Sequence, residues 1–241
     1  MKPWTAGPRE LLEHAIEHFG KGSAFDHRIS FISIDNAVEL VIKTYLGLPK
    51  RIRKSDGPSR RKLSEASNSF PELLDMLKEF DKDKLEGIEL GDIEWYHRIR
   101  NTLYHDSSGV TVDKDKLDSY LQIAVILFNN LFEEDFKQEV PIEPSSVVGE
   151  IVLRSSQLEH NLGILYRQHF PEEGKRSVPI IRAINRLAEK GVLPSKVVEQ
   201  IEESRRVRNE AVHNTGNIDV QKVKKAADFL FDIVKKVTGF I

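Results

Sequence analysis

Apolar residues along this 241-residue chain recur at intervals of three and four, and strict alternation is nearly absent, which predicts helices and no sheet. An amphipathic segment over residues 8–19 opens with Pro8 near its first helical position and ends at Gly20. Over residues 25–46, Ile29, Ile32, Ala37, Leu40, Val41 and Tyr45 form a broad apolar stripe, and Gly47 with Pro49 stops it. Further helices are predicted over 71–80, 91–105 and 113–132, enough with the long one to close a four-helix bundle.

Residues 139–146, EVPIEPSS, hold two prolines and little core material and read as a linker. The helical pattern then restarts over 145–169, 178–190, 194–213 and 219–238. The expected organisation is an all-α protein of two tandem helical bundles: an N-terminal helix over 1–24 lying across the first, bundle one over 25–138 and bundle two over 147–241.

The restart is a repeat at residue level. IEWYHRIRNTLYH at 93–105 and IEESRRVRNEAVH at 201–213 share Ile, Glu, Arg, Arg, Asn and His in register, and Ile99 answers Val207. A turn follows each copy at once, DSSG in the first and NTGN in the second, before another amphipathic helix starts at Asp113 or Asp219.

Composition narrows the chemistry. With no cysteine, the chain has neither disulfides, nor thiolate catalysis, nor Cys-ligated metal centres. A net charge of −2 announces neither nucleic acid nor membrane, so a nucleic-acid surface has to be local. No apolar run approaches the roughly 18 residues of a membrane span, and Met1–Gly7 has no signal-peptide pattern, so no membrane association and a cytoplasmic location are expected.

Each copy of the repeat contains Arg-Asn-x-x-x-His: Arg100, Asn101 and His105, then Arg208, Asn209 and His213. The bare Arg-x4-His spacing is expected by chance roughly 0.5 times in this chain, and Arg9/His14 is such a decoy; Asn after the Arg, twice in aligned repeats, is not. At 3.6 residues per turn Arg98, Asn101 and His105 share one stripe, as do Arg206, Asn209 and His213, whereas Arg100 sits about 140° from His105 and has to reach over or serve another histidine. An imidazole exchanges protons near neutral pH without a metal, and a guanidinium holds a phosphate bidentately, so the groups suit phosphodiester cleavage in RNA.

At these residues the chain resembles the HEPN superfamily, small α-helical bundles whose ribonuclease members carry Arg-x4–6-His, commonly with a polar residue after the Arg. RNTLYH and RNEAVH fit that pattern, and IDNAVELVIKTYL at 34–46 looks like the long first helix of such domains. The resemblance covers nearly the whole chain after residue 24 as two copies, and implies a pseudo-dimer in which both motifs line one cleft. It implies metal-free and cofactor-free endoribonuclease activity leaving a cyclic phosphate, with RNA as partner, often in toxin, phage-defence or RNA-processing systems. An antitoxin or regulatory protein would be a second partner, and the active form would be a monomer with its own pair of domains or a homodimer. The competing implication is a HEPN-like scaffold that binds RNA, nucleotide or protein without turnover. Where some HEPN toxins continue with Tyr two residues after the His, this chain has Ser107 and Thr215.

Outside the motifs, KRIRKSDGPSRRK at 50–62 sets seven basic residues against Asp56. Lys50, Arg51, Arg53, Lys54, Arg60, Arg61 and Lys62, with Arg98 and Arg206, are the candidate RNA-backbone contacts, the alternative being a solvated loop. Trp95 and Tyr96 are either a base-stacking pair or core. His14, Glu17 and His18 match a zinc-protease spacing in the wrong context, a short helix without a third ligand, so no metal site is expected.

Overall fold

The computed structural model describes residues 2–105, 112–136, 144, 146–173, 178–213 and 218–238, the side chains of Tyr104 and His105 excepted; both DSSG and NTGN and all of 139–146 but Pro144 and Ser146 lie outside them. Among the described residues the fold is all-helical and divides into two compact units, 1–143 and 144–241.

Unit 1 contains α1 (Ala6–Lys21), α2 (Ala24–Gly47), α3 (Lys50–Arg53), α4 (Arg60–Ala66), α5 (Phe70–Asp81), α6 (Leu90–His105) and α7 (Lys114–Phe132). Its spine is α2, which packs against α1, α5, α6 and α7. The Ser23 hydroxyl caps α2 by accepting from the Asp26 N–H at 3.1 Å, and Phe31, Ile34, Ala37, Val38 and Ile42 are wholly buried along the helix. The N-terminal helix is built into this unit: Leu12 and Ala15 have no exposure, and Ser30 donates to the Ala15 carbonyl at 2.7 Å.

Two short helices, α3 and α4, occupy the basic stretch that reads as an open loop in the sequence. Arg53 anchors them. Its guanidinium pairs with Asp81, donates to the carbonyls of Leu46 at 3.2 Å and Asp56 at 2.9 Å, and lies 5.1 Å from the Tyr45 ring centre.

Unit 2 contains α8 (Val147–His169), α9 (Ile180–Glu189), α10 (Ser195–His213) and α11 (Val220–Thr238). Its spine is α8, which packs against α9, α10 and α11 and is capped by Ser146, whose hydroxyl accepts from the Gly149 N–H at 3.0 Å. The helices after the two motifs start alike: the Asp113 carboxylate accepts from Asp115 N–H at 3.0 Å and that of Asp219 from Lys222 N–H at 3.0 Å. None of the described helices is long and apolar enough to cross a membrane.

Candidate functional site

The motif helices α6 and α10 present matching faces. Ile93 and Ile201 are buried at equivalent positions, as are Tyr96 and Ser204, while Arg98 and Arg206 are exposed. Within each motif the amide oxygen of the Asn accepts from Nη1 of the preceding Arg, at 3.0 Å for Arg100–Asn101 and 3.3 Å for Arg208–Asn209. The Asn therefore orients the guanidinium that precedes it. His105 and His213 are the last residues of their helices, and His213 is exposed.

Arg100 turns towards α2. Its Nε donates to Asp35 Oδ2 at 2.7 Å, and Nη2 stands 3.7 Å from Glu39. Asp35 also accepts from His97 Nδ1 at 3.0 Å and from the Tyr120 hydroxyl at 2.7 Å, while the His97 ring stacks on Phe70 with centres 4.0 Å apart. The Tyr120 ring in turn lies on Tyr96, whose hydroxyl meets Ser119. A network of side chains from α2, α5, α6 and α7 thus holds the root of Arg100 in place, the kind of rigid support that fixes a guanidinium fork before any anion arrives.

The electrostatics follow from burial. Asp35 has no exposed surface, which alone would push its carboxyl up. The hydrogen bond and charge of His97, the Tyr120 hydroxyl and the Arg100 charge outweigh that and hold it below the usual carboxylate range. Burial, reinforced by the Asp35 charge, drives the Tyr120 phenol well above its ordinary value, so it is a donor at every physiological pH. Sequence reading missed Asp35, Glu39, His97 and Tyr120. The available signal was Asp35 itself, an acid inside an apolar stripe, which a core accepts only with partners.

Unit 2 repeats the scheme in part. Arg205 occupies the position equivalent to His97, and its Nε stands 3.6 Å from Glu159 on the spine helix α8. Arg208 is more deeply set than Arg100, with 5% of its surface exposed.

The remaining candidates divide. Arg53 is not a surface cation: its side chain is 1% exposed because it neutralises Asp81, and it is removed from the set of RNA contacts. Lys50 pairs with Asp56 at 2.6 Å, Arg61 with Glu65 at 3.4 Å, Lys62 with Glu79 at 2.7 Å and Arg206 with Glu203 at 2.9 Å, all at the surface. Such exposed pairs are worth about 0–1 kcal/mol and exchange readily for a phosphate. Arg51, Lys54 and Arg60 are also exposed. Tyr96 is fully buried and unavailable for stacking on a base; Trp95 is half-buried edge-on to it. Of the histidines near the N-terminus, His18 bonds Asp26 at 2.8 Å and Glu17 pairs with Lys21 at 2.8 Å; no group of metal-ligating side chains occurs among the described residues. The decoy Arg9 is structural, nearly buried, bonded to Glu13 at 2.8 Å and lying 4.9 Å from the Phe136 ring centre.

No protein-family model, no curated protein and no solved structure matches this chain.

Proposed function

We propose that the protein is a metal-independent endoribonuclease of the HEPN type, made of two tandem HEPN-like bundles and acting in a toxin, phage-defence or RNA-processing role in the cytoplasm. The observation that carries the reading is the duplicated Arg–Asn hydrogen bond, made in the same register one turn before a helix-terminal His in each unit. In the reaction one histidine takes the proton from a ribose 2′-hydroxyl, the 2′-oxygen bonds to the adjacent phosphorus, and the bond from phosphorus to the 5′-oxygen breaks. The other histidine protonates the departing 5′-oxygen. Arg100 and Arg208, aimed by Asn101 and Asn209, hold the non-bridging oxygens as negative charge grows on them.

Product-end analysis tests this. The expected fragments carry a 2′,3′-cyclic phosphate on one side and a 5′-hydroxyl on the other. Fragments with a 3′-hydroxyl and a 5′-phosphate would overturn the proposal, since an internal 2′-oxygen nucleophile does not produce them.

A second reading has one observation in its favour. The depth of Arg208 suits a side chain that braces helix packing, and a HEPN-like binding module for RNA, nucleotide or a protein partner would need no more. It predicts RNA retention without any new ends.

A further inference from the structure

On unit 1, a cleft of about 320 Å³ opens between the first residues of the chain, α3 and the C-terminal end of α7, lined by Lys2, Trp4, Arg51, Lys54, Lys84 and Glu133 above a floor of Tyr45 and Arg53. Its volume falls at the lower end of the range for small-molecule sites, about 300–1,000 Å³, which suits one nucleotide and excludes a helix or a duplex.

The walls are built rather than incidental. Trp4 sits in a single turn of 3₁₀ helix, Pro3–Thr5, pinned to the end of α7 because Glu134 accepts from the Lys2 backbone N–H at 3.2 Å and from the Thr5 hydroxyl at 3.2 Å. The indole is half-buried, so it is held while part of its surface stays open. Across from it the cations outnumber the acids. Lys2 donates its ammonium to the Phe132 carbonyl, Lys84 pairs with Glu133 at 2.5 Å, and Lys54 stands 3.6 Å from the same carboxylate. A single Glu133 thus answers Lys54 and Lys84, and Arg51 is exposed beside them. Beneath, Arg53 is buried, its Nε lacking an acceptor among the described residues.

An aromatic face and surplus positive charge are together the recognition chemistry of a phosphorylated nucleoside. We propose that this cleft binds one nucleotide, its base on Trp4 and its phosphate on Arg51, Lys54 and Lys84. The occupant is a free nucleotide or one unpaired residue of an RNA strand. The inference does not rest on the ribonuclease reading, because none of the lining residues belongs to either motif.

The test uses the full chain carrying Trp95→Phe, which leaves Trp4 as its one tryptophan, together with His105→Ala and His213→Ala so that RNA is not consumed. Indole fluorescence is followed during titration with adenosine monophosphate, with a short single-stranded oligoadenylate and with inorganic phosphate. Saturable quenching is expected with adenosine monophosphate if the site takes free nucleotide, or with the oligonucleotide alone if it takes a strand. Either affinity should fall at least tenfold in Arg51→Ala, Lys54→Ala, both positions being exposed. The proposal is overturned if neither adenylate quenches at millimolar concentration, if inorganic phosphate quenches as well as they do, or if the double substitution leaves the affinity unchanged.

Discussion

Asp35 and Arg53 show how single residues decide what the motifs and the basic stretch become. Each is a charge inside the core of unit 1, and each is tolerated because several partners replace the water it lost: His97, Arg100 and Tyr120 for Asp35, and Asp81 with two carbonyls for Arg53. Replacing Asp35 by Asn removes the charge that Arg100 and His97 face and should destabilise the protein by about 3 kcal/mol in denaturant titration. The pH dependence has a definite sign. Because the folded carboxyl is held below its unfolded value, its stabilisation is complete above about pH 4 and is lost as pH falls through the lower folded value. The acid limb of the stability curve should therefore flatten in Asp35→Asn; an unchanged limb would mean that the network contributes nothing. Tyr45 has the opposite sign. Burial, and then the Asp81 charge, push its phenol up to about 12, so stability is lost as pH rises from about 10 towards 12, and Tyr45→Phe should reduce that slope. Gly57 makes a third point: a Cβ there would meet Arg53 Nη1 at 2.1 Å, so Gly57→Ala should displace the guanidinium from Asp81 and lower the melting temperature although Gly57 itself is exposed.

At the scale of elements, the periodic pattern located the long helices closely. The helix expected over 113–132 is Lys114–Phe132, and that expected over 219–238 is Val220–Thr238, because Asp caps and apolar stripes are local signals. The helices α3 and α4 escaped notice for the converse reason: the buried Arg53–Asp81 pair that anchors them joins positions 28 residues apart. The supports of Arg100 were equally hidden, since Asp35 and Tyr120 lie 65 and 85 residues from the groups that reveal them. Helical geometry alone left open whether Arg100 reaches over to the His105 stripe or serves another histidine; its Nη1 bonds Asn101 on that stripe while its Nε bonds Asp35. Capping is the element-scale prediction. Ser146→Ala deprives α8 of its N-terminal acceptor and should cost about 1 kcal/mol, read as a drop of about 4–8 °C in the melting of unit 2, with no effect on acid sensitivity at Asp35.

For the molecule as a whole, the repeated Arg-Asn-x-x-x-His segment is the feature most plainly written in the sequence. Its two copies carry the same Arg–Asn hydrogen bond, the same buried Ile and the same aspartate-capped helix after the motif. They differ at the position of His97, which bonds Asp35 in unit 1 and is replaced in unit 2 by Arg205 beside Glu159. Under the proposed ribonuclease reading the two histidines would divide the work, one as base and one as acid.

The most direct test of that claim is incubation of the purified chain with a labelled mixed-sequence RNA in EDTA, beside the His105→Ala, His213→Ala double variant. Cleavage by the unaltered chain is expected, with a loss of at least about 100-fold in the variant, the contribution usual for general acid–base groups. Equal cleavage by both proteins, or cleavage that appears only when a divalent metal is restored, would contradict it.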